Sequence, residues 1–191
     1  MKILFTILLF TFGIYLTNAN AQNIKSIEAE GNLESPKPCG CIELSAVTSE
    51  NNPADILNGM GKCIEQKEFR KAARLFAIAG VYGTYDSYRV KDKSAHQALL
   101  VLQSNIFSKV SEDDKNNLLL SLQSQLKAGS EELSEICNAI RQVGMPKYFP
   151  RYMIQHGLQA LTGKSGNGLV ENFNSQESWD LSLKTYLHCG E

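Results

Sequence analysis

Apolar residues recur every three to four positions through most of the chain between residues 53 and 187, and this spacing constrains the fold more than any other feature. Asn52 followed by Pro53 reads as an N-cap with proline at the first helical position, opening a helix over about 53–66. Phe69, Ala72, Phe76 and Ala79 form the next stripe, and Ala95, Ala98, Leu99, Leu102 and Ile106 another. Ser111, followed by Glu112, Asp113 and Asp114, caps a helix bearing Leu118, Leu119, Leu122 and Leu126. Ser130 opens a helix with Leu133, Ile136, Cys137, Ile140 and Val143 on one face and Gly144 as its stop. Pro146 and Pro150 frame the approach to a helix over 150–162, and Gly163, Gly166 and Gly168 mark a loop. Ser175 then caps a last helix with Trp179, Leu183, Tyr186 and Leu187 inward. No segment alternates with period two between hairpin turns. The expectation is an all-α, single compact domain of about seven helices, with short loops making neighbours antiparallel.

The first 21 residues stand apart. Lys2 precedes an apolar run from Ile3 to Leu16, and Ala19 and Ala21 place small residues three and one positions before Gln22. This layout predicts a secretory signal peptide over residues 1–21, cleaved after Ala21. Residues 22–38 then read as a polar, extended lead-in containing Gly31, Pro36 and Pro38, and residues 39–191 as the helical domain. No later stretch has the length of a membrane span. The expected compartment is therefore periplasmic or extracellular, and oxidising.

Export gives the five cysteines, all beyond residue 21, a default explanation as disulfides with one thiol left over. The expected pairs are Cys137 with Cys189, and Cys41 (or Cys39) with Cys63. In the chain-entropy treatment these contribute roughly 4 and roughly 3 kcal/mol. Cys39-Gly40-Cys41 also admits a redox dithiol or a soft-metal pair, but His96, His156 and His188 show no ligand spacing with it. No metal or other cofactor is expected.

Lys and Arg number 19 against 20 Asp and Glu, a net charge of -1, so the chain lacks the basic field that nucleic acids select. Gly163-Lys164-Ser165 has neither the glycine spacing nor the strand-to-helix setting of a phosphate loop. The acids Glu112, Asp113, Asp114, Glu131, Glu132 and Glu135 are accounted for by helix starts. His156, with Tyr152 and Gln159 at helical spacing, has no evident orienting partner for acid–base work.

Residues 56–79 resemble one tetratricopeptide or Sel1-type helical pair, with Phe69, Ala72, Phe76 and Ala79 at its small-and-aromatic positions. The resemblance covers one unit, ends at Thr84 where such repeats carry proline, and has no second copy. It implies a helix–turn–helix and, through the family's habit, protein binding.

The densest mix of aromatic and polar groups runs from Tyr82 to Arg89. In a helix, Tyr82, Tyr85, Asp86 and Arg89 share a face, which suits either a protein- or glycan-binding surface or tyrosines covering the core with wet hydroxyls. The functional expectation is an exported helical protein that binds another envelope or secreted protein rather than catalysing a reaction. An immunity-type inhibitor of a periplasmic toxin is its concrete form. The alternative is an envelope enzyme, either a thiol oxidoreductase using Cys39 and Cys41 or a cell-wall hydrolase.

Overall fold

A computed structural model describes residues 28–163 and 166–190. The described chain is all-α, with eight α-helices: α1 Pro53–Glu65, α2 Phe69–Arg89, α3 Ala98–Phe107, α4 Glu112–Gln125, α5 Glu131–Val143, α6 Arg151–Ile154, α7 Leu158–Leu161 and α8 Ser175–Leu187. Short 3-10 turns span Leu44–Ala46 and Lys93–Gln97. Extended pairing among the described residues is confined to a bridge between Val90 and Leu169. No helix among them is long and apolar enough to cross a membrane. Residues 1–21, where a signal peptide is expected, lie outside the described residues.

Side-chain caps start four of the eight α-helices, replacing missing backbone partners. At α1, the Asn52 side chain accepts from the Asp55 amide while the Asp55 carboxylate accepts from the Asn52 amide, a reciprocal capping box with Pro53 next in line. Ser111 and Ser130 cap α4 and α5 by accepting from the amides of Asp114 and Leu133. The cap of α8 is Asn174 rather than Ser175: its side-chain oxygen reaches the Glu177 amide, and Ser175 is already helical. Gly144, at φ 87°, ends α5.

Two sequence expectations change. The stripe beginning at Ala95 starts in the 3-10 turn, and α3 begins at Ala98. The single helix expected over 150–162 is two short ones, because Gly157 takes an extended conformation between them. Its backbone passes so close to Asp92 that a β-carbon would collide with that carboxylate and crowd Ala95. Asp92 Oδ2 accepts from the Gln159 amide at 2.8 Å and Ser94 Oγ from the Leu158 amide at 2.9 Å. External acceptors thus satisfy amides that a continuous helix would have bonded internally.

Helix α2 is the axis of the domain. Twelve of its residues, from Ala72 to Asp86, are buried, and α1, α4 and α8 pack around it. The α1–α2 pair forms the helix–turn–helix over the segment with tetratricopeptide-like spacing. Gly80 and Gly83 allow close approach on α2. The ring of Tyr186 occupies the space of a Gly80 β-carbon, and a methyl group of Leu99 lies 2.7 Å from where one on Gly83 would stand. A smaller cluster of Val90, Ala95, Ala98, Tyr152, Met153 and Ile154 closes the other end.

Two disulfides tie peripheral segments to this frame. Cys41 joins Cys63, and Cys137 joins Cys189 with Cα atoms 5.8 Å apart. The second depends on how α8 ends. His188 adopts the left-handed conformation, the amides of His188 and Cys189 bond back to Lys184 and Leu183, and the chain folds toward α5. The described part of the lead-in, residues 28–38, contains a turn around Gly31 and is fastened to the helices. The Leu33 amide donates to the Tyr152 carbonyl, and Ser35 Oγ and the Lys37 amide donate to Asp55 Oδ1.

Candidate functional site

Tyr82, Tyr85, Asp86 and Arg89 do share one face of α2, but that face is interior. Tyr82 and Asp86 are fully buried and Tyr85 is 3% exposed, so these residues do not form a free binding surface. The expectation of wet hydroxyls also fails at Tyr82, whose hydroxyl donates to the Gly144 carbonyl at 2.8 Å. The physical reason lies in residues 144–152, which cross over this face and bring Tyr148 and Tyr152 onto it.

Asp86 is the hub. Its Oδ2 accepts from the hydroxyls of Tyr148 and Tyr152, each at 2.8 Å, and its Oδ1 accepts from Arg89 Nε at 2.8 Å. Arg89 Nη2 lies 2.7 Å from the same Oδ1, yet its N–H bonds are not aimed along that contact and find no other acceptor. The guanidinium carbon sits 5.1 Å from the Tyr85 ring centre and 5.0 Å from that of Tyr148, so two π-faces flank the cation. Edge contacts from Tyr82 and Tyr85 to Trp179, and from Tyr85 to Phe173, extend the aromatic wall.

Burial governs titration here. Burial raises the Asp86 carboxyl above its ordinary value, against the opposing pull of Arg89 and the tyrosine donors. Burial, reinforced by the charge of Asp86, pushes both Tyr148 and Tyr152 well above the ordinary phenol. For Arg89, burial favours loss of the proton, but Asp86, Tyr148 and Tyr85 together outweigh it and the cation is held more firmly. Hydrogen bonds from Tyr148 and Tyr152 to Asp86 hold residues 144–152 against α2, and only Arg89 Nη2 in this set is left without an acceptor.

The other candidates are placed differently. Cys39 is the free thiol, half-buried, and Cys41 is bonded to Cys63 instead of standing beside it as a dithiol partner. Burial, helped by the nearby Asp55 charge, pushes the Cys39 pKa up to about 11. His156 Nδ1 lies 2.9 Å from Asn32 Oδ1, and burial lowers its pKa. It shares no helix face with Tyr152 and Gln159, because the helix breaks between them. Of the Gly163-Lys164-Ser165 loop, only Gly163 is described. Among the described residues no group of three or more His, Cys, Asp or Glu is arranged to hold a metal ion.

Sequence reasoning overlooked the outward side of α4. Leu119 is 50% and Leu120 62% exposed in the middle of the helix. Beside them an open groove of about 400 Å³ is lined by Phe107, Lys115, Leu118, Leu119 and Leu122. The signal was present: three consecutive leucines, Leu118 to Leu120, cannot all face one core from a helix. The chain matches no known protein family, curated protein or solved structure in comparison.

Proposed function

We propose that this is an exported protein that works by binding another protein, with the outward face of α4 as its contact surface. The exposed Leu119–Leu120 pair beside the apolar groove is the observation that carries the reading. Apolar side chains grouped on a helix, with charged residues around them, have the make-up of a contact surface. The signal-like segment 1–21 supports export, and two disulfides suit an oxidising compartment. Within this class, an immunity-type inhibitor of a periplasmic toxin fits the size and the leader.

The thiol-oxidoreductase alternative draws no support from the geometry. A nucleophilic cysteine needs a lowered pKa, and that of Cys39 is displaced the other way.

The test uses the purified protein encoded beside this chain's gene, the expected position of a toxin relative to its inhibitor. Calorimetry against this chain should show binding that falls at least tenfold in Leu119→Glu/Leu120→Glu, a variant whose circular dichroism is unchanged. Growth protection should fall with it when both proteins are exported together. Unchanged affinity in the folded variant would move the contact surface elsewhere, and no binding or protection in the parent would remove the inhibitor reading.

A further inference from the structure

The arrangement of charge around the exposed leucines is self-complementary. Helix α4 advances about 100° per residue, and its buried Leu118 and Gln125 fix the inward direction. On that rotation Glu112, Asn116, Leu119, Leu120 and Gln123 fall within an arc of about 100° on the opposite side. Each of them is exposed, as is Lys127 just past the helix end. One apolar step sits at the middle of this stripe, an acid at its N-terminal end and a base at its C-terminal end.

A two-fold axis perpendicular to α4, lying in the contact plane level with the midpoint of Leu119 and Leu120, lays a second copy of this stripe antiparallel against the first. Leu119 and Leu120 of one copy then lie level with Leu120 and Leu119 of the other, forming one four-leucine cluster, and Asn116 is level with Gln123. Glu112 faces Lys127 at both ends. Resting on the reading of α4 as a contact face, we propose that its occupant in the free protein is a second copy of this chain, docked antiparallel through α4.

Three observations favour this occupant. Lys127 has no ion-pair partner among the described residues. Glu112 engages Lys115 through Oε1 at 2.6 Å and is 81% exposed. The acidic first turn of each α4 would lie against the electronegative C-terminal end of the other, but with Lys127 between them, so the ends attract rather than repel. A parallel arrangement would set Glu112 against Glu112 and Lys127 against Lys127, which the same charges oppose. Each symmetric contact forms twice, as an isologous interface requires. One helix per copy buries a small area, the size class of weak, transient contacts.

Sedimentation of the chain recovered from its own compartment, over about 1 μM to 1 mM, tests this. The expected result is a reversible monomer–dimer equilibrium. Glu112→Lys alone and Lys127→Glu alone should each weaken it about tenfold, since every substitution spoils two symmetric pairs. The double variant should restore it to within about threefold of the parent, because the exchanged charges meet again only across an antiparallel dimer. Leu120→Glu should be monomeric with unchanged circular dichroism. A parent that is monomeric throughout, a dimer indifferent to these changes, or a double variant as weak as the single ones overturns the proposal. A monomeric parent whose Leu119→Glu/Leu120→Glu variant still loses its foreign partner would sink the dimer alone and leave the binding reading standing.

Discussion

The ring of Tyr186, on α8, stands where a β-carbon on Gly80 of α2 would be, so the contact between these two helices depends on the absence of a single methyl group. Tyr186 feels this enclosure, since burial raises its pKa to about 12. Gly80→Ala must therefore push α8 away despite the better helix propensity of alanine. The expected loss is about 2–4 kcal/mol, well beyond the ~1 kcal/mol that propensity returns. Chemical denaturation checks it, and Gly80→Ala/Tyr186→Leu should regain part of the loss by clearing the space.

The Asp86 hub predicts a non-additive pair. Asp86→Ala leaves Arg89 a buried cation without its counter-ion and strips the acceptor from Tyr148 and Tyr152, at a cost of about 3–5 kcal/mol. Asp86→Leu/Arg89→Met removes both charges and should lie closer to the parent than Asp86→Ala does. Equal or greater loss in the double variant, measured by urea unfolding, would mean that the hydrogen bonds to the tyrosines dominate over the ion pair.

Much of this architecture was legible before any coordinate. Caps at Asn52, Ser111 and Ser130 and the stop at Gly144 are local chemistry, and local chemistry is what a sequence displays. The inward orientation of the Tyr82–Arg89 face was not. It is set by residues 144–152 arriving from about sixty positions away, and helical spacing fixes which residues share a face, not which way it points. The break at Gly157 was hidden for the same reason, because Asp92 and Ser94 supply the acceptors that replace the helical ones. The cap of α8 moved by one residue since Asn174 and Ser175 are both competent, and only the reach to Glu177 separates them.

Alkali should unfold the chain through its tyrosines. Tyr82, Tyr85, Tyr148, Tyr152 and Tyr186 all have folded-state values above the ordinary 10.0, with burial the largest cause in each. The folded chain then holds protons that the unfolded chain releases, so this stabilisation is complete below pH 10 and is lost as pH climbs toward the folded values. Absorbance of phenolate at 295 nm should rise late and steeply, together with loss of helical circular dichroism. Tyr148→Phe/Tyr152→Phe removes two of these groups and should make the pH dependence above 10 shallower. A gradual titration near pH 10 with the helix signal intact would refute the enclosure of these phenols.

Cys39 should behave as an inert thiol while its neighbour bridges to Cys63. With a pKa of about 11 against an ordinary 9.0, the thiolate fraction at pH 8 is about a hundredfold lower than for an unperturbed cysteine, and only the thiolate reacts with iodoacetamide. Half-burial slows access further. In the folded, unreduced chain, alkylation of Cys39 should therefore be at least a hundredfold slower than in urea, where the whole thiol is exposed and its pKa returns to normal. Mass mapping should find the label on Cys39 alone, with Cys41–Cys63 and Cys137–Cys189 recovered as linked peptides. Cys39→Ser should leave both bridges intact and change stability little, since the Cys39 amide, which donates to the Asp55 carbonyl at 3.0 Å, is kept. Rapid labelling in the folded state, or a Cys39–Cys63 peptide in place of Cys41–Cys63, would show that the two cysteines exchange partners and would return the Cys39-Gly40-Cys41 segment to consideration as a redox pair.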